Sequence, residues 1–458
     1  MFLRVASRVA VMAGAAWLAT ASAAAAQTAP SIPHERFVLP NGLEVLLHQD
    51  RSTPVVAVNV YYKVGSGDEK PGRTGFAHLF EHVMFMGSQH VPVGKFDQWL
   101  EAAGGNNNGT TNQDRTNYFE WMPSNALPLA LWLEADRMGY LLPTMDQAKL
   151  DLQRDVVKNE RRQSYDNQPY GRAYETILAA MYPPTHPYSW PTIGSMADLS
   201  AAKLDDVKDF FRTYYAPNNA LLSVAGDFDV DSAKTMITSL FGGIPRGPEM
   251  PARPSPAPIT AARDTFLTLE DRVQLPRLYV AWHTVKGYHS DDAALDVLGT
   301  ILGQGKTSRL YERLVYREQV AQSVSAYQGG QRLAGMFQVS ITPRPGQRPA
   351  AMAKALDEEL KRIVDAGVTE REVQRAIAMM ETSALDRVSG VLGKADQLNA
   401  YLYETGDAGF LAKDLARYRA VTAADVQRVA RAYLLKPRLT LTVVPQGKTE
   451  LAVTGVTQ

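Results

Sequence analysis

Apolar and polar positions along the chain fall into short alternating stretches and longer stretches with helical spacing. RFVLPNGLEVLLHQ (36–49) and VVAVNVYYKV (55–64) read as strands, rich in branched and aromatic residues and separated by polar turns. RLYVAWHTV (277–285) reads the same way later in the chain. TGFAHLFEHVMFMGS (74–88) and LDLQRDVVKNERRQS (150–164) carry helical patterns, the first apolar enough to be a buried helix. The pattern then repeats. DDVKDFFRTYYAPNNALLSVAGD (205–227) predicts an amphipathic helix, a Pro/Asn turn and an apolar strand, and ADVQRVARAYLLKPRLTLTVVP (424–445) predicts the same series. Asp206, Val207 and Tyr214 fall on Asp425, Val426 and Tyr433, all three at one constant offset in the numbering.

Between the repeats lies GGIPRGPEMPARPSPAP (242–258), too rich in Pro and Gly for a helix or a central strand. The chain therefore divides into a leader at 1–26, a first domain at 27–245, a Pro-rich linker at 246–264 and a homologous second domain at 265–458. Strands and helices mix without strict βαβ alternation, so the expected fold class is α+β: two tandem homologous α/β-roll domains, each a mostly antiparallel sheet with helices packed on it. The leader begins with Arg4 and Arg8, continues with an apolar run from Val9 to Leu18 and ends Ala24-Ala25-Ala26. That layout is a secretory signal peptide with a small-residue cleavage site, so the mature chain is expected in the periplasm, with no membrane span after cleavage.

Composition narrows the chemistry. The 458 residues contain no cysteine, which excludes disulfides, thiolate metal sites and thiol catalysis; any metal must rest on His, Asp or Glu. The 48 basic and 48 acidic side chains balance, against the basic excess of a nucleic-acid binder. Within the apolar helix at 74–88 stand His78, Glu81 and His82. Residues four apart share a helix face, so the two imidazoles project together with Glu81 beside them. Burying such groups without partners costs several kcal/mol, on the order of 2–7 per group, and a cation is an economical partner. Two neutral imidazoles one turn apart suit zinc, with Glu81 in reach of a water beside the metal. A catalytic zinc needs a third protein ligand. Glu160, on the helix at 150–164, is a candidate, although between Asn159 and Arg161 it also reads as a solvated helical position. His34, His48, His90, His186, His283 and His289 are scattered and read as surface or locally bonded side chains.

His78-x-x-Glu81-His82, followed by Glu160 on a later helix, resembles the inverted zinc motif of the pitrilysin/insulinase family of metallopeptidases. GGNNNGTTNQDRTNYFE (104–120) is similar to a second family segment, matched at Asn108, Thr111, Asp114, Thr116 and Tyr118, with Gly109 where Ala is usual. GQGKTSRLYERLVYRE (303–318) resembles part of the family's second, non-catalytic domain. The resemblance implies a half-length, two-domain member of the bacterial or mitochondrial-processing type. It implies one Zn2+ held by His78, His82 and Glu160, with Glu81 as general base. It also implies an edge strand over 107–118 that pairs with extended substrate through Asn108, Gly109, Thr110, Thr111 and Tyr118. The implied activity is zinc metalloendopeptidase cleavage of short or unfolded polypeptides; some relatives are instead non-proteolytic partner or assembly subunits. Two departures matter. Gln153 stands where the family often has a second Glu. The strand LAGMFQVSITPRPG (333–346) lacks the Arg and Tyr, seven apart, that bind substrate in relatives. That absence implies a heteromer with a homologous subunit lacking the zinc motif, or a homodimer. At the offset that relates the two repeats, the second half carries Val297, Thr300 and Ile301 in place of His78, Glu81 and His82.

Overall fold

A computed structural model describes residues 30–455; the leader, including the expected cleavage site, lies outside the described residues. The first half contributes strands β1 (Glu35–Val38), β2 (Glu44–Gln49), β3 (Val55–Tyr62), β4 (Asn106–Thr111), β5 (Thr116–Pro123) and β6 (Ala220–Gly226). Its helices are α1 (Phe76–Val83), α2 (Lys95–Ala102), α3 (Leu127–Tyr140), α4 (Gln147–Arg161), α5 (Ala173–Met181), α6 (Met196–Ala201), α7 (Leu204–Tyr214) and α8 (Val230–Phe241). The second half contributes β7 (Thr265–Asp271), β8 (Arg277–Thr284), β9 (Ala321–Gly330), β10 (Gly335–Pro343) and β11 (Leu439–Pro445). Its helices are α9 (Asp292–Gly303), α10 (Pro349–Ala366), α11 (Glu370–Arg387), α12 (Val391–Thr405), α13 (Leu411–Arg419) and α14 (Ala423–Val429).

The two sheets have one topology. The first runs β1-β2-β6-β3-β5-β4 and the second β7-β11-β8-β10-β9, so β2 corresponds to β7 and each later strand to its counterpart. In each sheet one pair is parallel, β2 with β6 and β7 with β11, and the rest are antiparallel. Thr116 and Gly335, Leu204 and Ala423, and Ala220 and Leu439 open matching elements at the offset seen in the sequence repeats. The chain is thus α+β with a duplicated unit, as its sequence repeats require.

The central strands β3, β6 and β11 are buried along almost their whole length, with apolar runs rather than alternation. A strand covered on both faces reads that way. Here the second cover comes from the other half. α12 lays Leu398, Tyr401 and Leu402 against Leu46, Tyr61 and Leu221 of the first sheet. Reciprocally, α5 lays Ile177, Leu178 and Met181 against Leu439, Leu441 and Val443 of the second. The contact also has a polar seam: buried Asn399 donates to the Asn59 carbonyl and accepts from Ser223. No helix or strand occurs between Phe241 and Thr265, and within that stretch Arg253 donates to the Lys63 carbonyl and the Tyr403 hydroxyl.

The stretch read as one edge strand, 107–118, is a hairpin. Asn112 turns the chain by accepting from the backbone N–H of Asp114 and Arg115, the local bonding that suits Asn to turns. Only β4 lies at the sheet edge; β5 is interior, between β3 and β4.

Candidate metal centre

α1 packs Phe76, Leu79, Phe80 and Val83 into the first core and buries Ala77, so its remaining residues, His78, Glu81 and His82, turn the other way. The helix starts where its backbone is pinned. Gly75 has φ +88, and a Cβ there would stand 2.8 Å from the Ile193 carbonyl oxygen, so glycine is needed twice over. The buried Glu69 carboxylate accepts from the N–H groups of Gly75 and Ala77, two of the helix's free donors, and from the Trp190 indole. α4 lies alongside α1, anchored by Val157 in the core and by Arg161, which donates to the Gly194 carbonyl and pairs with Glu175 at 2.8 Å.

This packing brings Glu160 to the imidazoles. Its Oε2 is 3.6 Å from His78 Nε2 and 3.3 Å from His82 Nε2. One ligand atom from each of the three residues lies within 4.8 Å of the others, and among the described residues no second group of three such side chains does so. Two nitrogens and one oxygen are the donor set of a catalytic zinc with one position left open. The protonation states suit a cation too. Burial, followed by the field of His82, lowers the His78 pKa to about 4, so the imidazole is neutral and its lone pair available. Hydrogen bonding from His82 holds Glu160 below the usual carboxylate range, hence ionised. His78 Nδ1 is buried without a protein partner.

Glu81 stands beside His82 on α1 and reaches Thr111 of β4. Burial pushes its carboxyl up, while the Thr111 hydroxyl, donating at 2.6 Å, pulls it down. The five residues read as substrate-binding divide by strand geometry. Asn108 is exposed and Thr110 half-buried, on one face of β4; Gly109 and Thr111 face α1. Tyr118 belongs to interior strand β5, is wholly buried, and donates to the Phe80 carbonyl at 3.3 Å. It cannot touch a substrate at the edge, and its place in that group is corrected to a packing residue beneath α1. Gln153 directs its amide nitrogen at Met86 Sδ, 2.7 Å away. Met336 and Phe337, on the strand considered for an Arg/Tyr pair, are buried in interior strand β10.

Sequence patterns did not single out Arg137. Its buried guanidinium pairs with Glu134 and with Glu120 at 3.2 Å, and stacks on Tyr118 and Phe96 at 4.4 and 4.5 Å. A charged residue within the apolar face of LPLALWLEADRMGY was the available signal. In the second half, α9 presents Val297, Thr300 and Ile301, all buried, and Met379 of α11 occupies the position matching Glu160, so that half carries no equivalent donor set.

Comparisons with known proteins agree with this architecture. Residues 44–189 match the profile described as Insulinase (Peptidase family M16), and residues 201–380 match the Peptidase M16 inactive domain. The chain is 29% identical over 404 residues to the zinc protease PqqE of Helicobacter pylori, covering 87% of this chain and 90% of that protein. It is 24% identical over 437 residues to a probable mitochondrial-processing peptidase subunit beta of Arabidopsis thaliana, covering 90% and 79%. The crystal structure of a protease from Helicobacter pylori superposes with a TM-score of 0.84 at 27% identity, covering 91% of this chain and 100% of that one. A putative M16-like peptidase from Alicyclobacillus acidocaldarius shares the fold at a TM-score of 0.78 and 23% identity, covering 91% and 99%.

Proposed function

This chain belongs to the insulinase family of peptidases, M16, and on that premise we propose that it is a periplasmic zinc endopeptidase acting on short or unfolded polypeptides. The observation that carries the reading is the meeting of His78, His82 and Glu160 beside Glu81 at the free edge of β4. Zinc, when bound, supplies Lewis acidity that brings the pKa of a water toward neutrality. His78 and His82 offer their Nε2 atoms and Glu160 its Oε2 as ligands. Glu81 takes the proton of the attacking water and returns it to the leaving amine; burial raises its basicity for that task. β4 pairs on one side only, so its free backbone groups can add an extended segment as a further strand. Main-chain pairing depends little on sequence, which favours unfolded chains of varied composition, with Asn108 and Thr110 bordering the added strand.

The leader supports a periplasmic location. The chain's own Arg/Tyr pair is absent from 333–346, which supports pairing with a homologous subunit that lacks the zinc motif; a homodimer is the second arrangement. A non-proteolytic role, as partner or assembly subunit, would leave the three ligands and Glu81 without use. The test is digestion of an unstructured peptide by purified protein, with and without chelator, across protein concentrations and with a homologous subunit added. Glu81→Gln should abolish cleavage while metal analysis still finds one zinc per chain. Cleavage that survives chelation or persists in Glu81→Gln would refute the mechanism. Full activity as a dilute monomer would refute the paired state.

A further inference from the structure

We propose that Thr111 is a positioning residue for Glu81, so that β4 links the seating of an extended substrate to the placement of the base. This rests on Glu81 being the base. The pleat of β4 sorts its residues: in register with β5, Gly109 lies opposite Tyr118 and Thr111 opposite Thr116, both toward α1, while Asn108 and Thr110 lie opposite Phe119 and Asn117 on the other face. The inward pair touches Glu81 at two points.

The first contact is polar. Thr111 Oγ1 is 2.6 Å from Glu81 Oε2. An ionised carboxylate only accepts, so the hydroxyl proton points at it. Thr116 Oγ1 lies 3.3 Å away but gives its own proton to the Val64 carbonyl, so it does not compete for Glu81 and the single Thr111 proton is left to the carboxylate. The second contact is steric. A Cβ on residue 109 would stand 2.9 Å from Glu81 Cγ, 3.3 Å from the Tyr118 ring and 3.4 Å from the Phe85 ring. Tyr118 and Phe85 are packed into or against the first core, so Glu81 is the group that would give way. The side chain of Glu81 therefore runs through space left by Gly109 and is secured at its tip by Thr111.

Both contacts come from the strand whose free edge would receive substrate. An added strand satisfies and stiffens the β4 backbone, and the backbone that it stiffens carries Thr111. A displacement of about 1 Å in a catalytic group can lower a rate by about a hundredfold. Loss of the Thr111 hydroxyl should therefore reduce turnover far more than substrate binding.

The test uses the full chain and a quenched fluorescent peptide without stable structure, with zinc content and melting temperature measured beside the kinetics. Thr111→Val keeps the shape and removes the hydroxyl. It should lower kcat by about ten- to a hundredfold with KM changed by less than about threefold, at one zinc per chain. Thr111→Ser should restore most of kcat. Thr111→Ala, which also removes the hydroxyl, should lower kcat with zinc retained, and it carries the test if Thr111→Val does not fold. Wild-type kcat in a zinc-loaded Thr111→Val, or a Thr111→Ser as impaired as Thr111→Val, would overturn the proposal. Cleavage by Glu81→Gln would instead refute the choice of base.

Discussion

The buried triad beneath the metal centre offers a test that the protein's own duplication supplies. Glu120 and Glu134 are wholly buried and Arg137 is 2% exposed, with Arg137 Nε donating to Glu134 at 2.8 Å. Burial, and then the charge of Glu134, pushes Glu120 well above its usual range, and Arg137 is the cation that offsets the two acids. At the matching positions of the repeat, the second half has Val339, Ala353 and Leu356, all in its core. Removing one partner of a buried ion pair leaves uncompensated charge and costs about 3–5 kcal/mol, whereas replacing the whole set by apolar residues is neutral or stabilises by about 1–4 kcal/mol. Arg137→Leu should thus lower the stability of the first half by about 3–5 kcal/mol. The triple change Glu120→Val, Glu134→Ala, Arg137→Leu should recover at least half of that loss. Urea unfolding followed by tryptophan fluorescence reports the effect, since Trp99 and Trp132 pack against the first core with ring centroids 5.9 Å apart. An Arg137→Leu curve that superposes on the wild type, or a triple variant no more stable than the single one, would show that the guanidinium is not holding two buried acids together.

Glu160→Gln should lower zinc occupancy severely and Gln153→Ala only slightly, because Glu160 faces both imidazoles while Gln153 turns to Met86; equal losses by metal analysis would contradict the ligand choice. Burial, and then the charge of Asp292, raises the Asp296 pKa to about 7. Between its unfolded value near 3.9 and about 7 the folded chain keeps a proton that the unfolded chain releases, so wild-type stability falls as pH rises through that window. Asp296→Asn should therefore gain on the wild type by up to about 1.4 kcal/mol per pH unit there, read from urea midpoints at pH 5 and pH 7; a gap independent of pH would refute it. Asn399→Leu leaves the Ser223 hydroxyl without its acceptor and removes the bond to the Asn59 carbonyl in the seam between the halves, and should cost about 1–3 kcal/mol, with faster proteolysis of the Pro-rich segment. Proteolysis at the wild-type rate would show that the seam does not hold the halves together.

Some features of this protein were determined by its linear pattern. His78, Glu81 and His82 lie within one turn and a half of helix, so local geometry places them on a common side wherever the helix packs. The repeat at a constant offset announces a duplicated α+β unit because matching cores demand matching apolar spacing. Other features are decided by contacts across the fold. Glu160 reads as a solvated position until α4 is laid against α1. The stretch 107–118 reads as one strand because an Asn-led turn is short and polar like the strand around it, and only the hairpin shows that Tyr118 is interior and Thr111 faces the base. α5 and α12 reveal nothing in sequence of their exchange, since an apolar stripe specifies that it must be covered and not by which sheet. Arg137 stands out in sequence only as a charge on an apolar helix; its two carboxylates come from its own helix and from β5, and burial of all three is a tertiary fact. The general rule is physical: periodicity encodes which side of an element avoids water, while the partner it meets there depends on the chain folded around it.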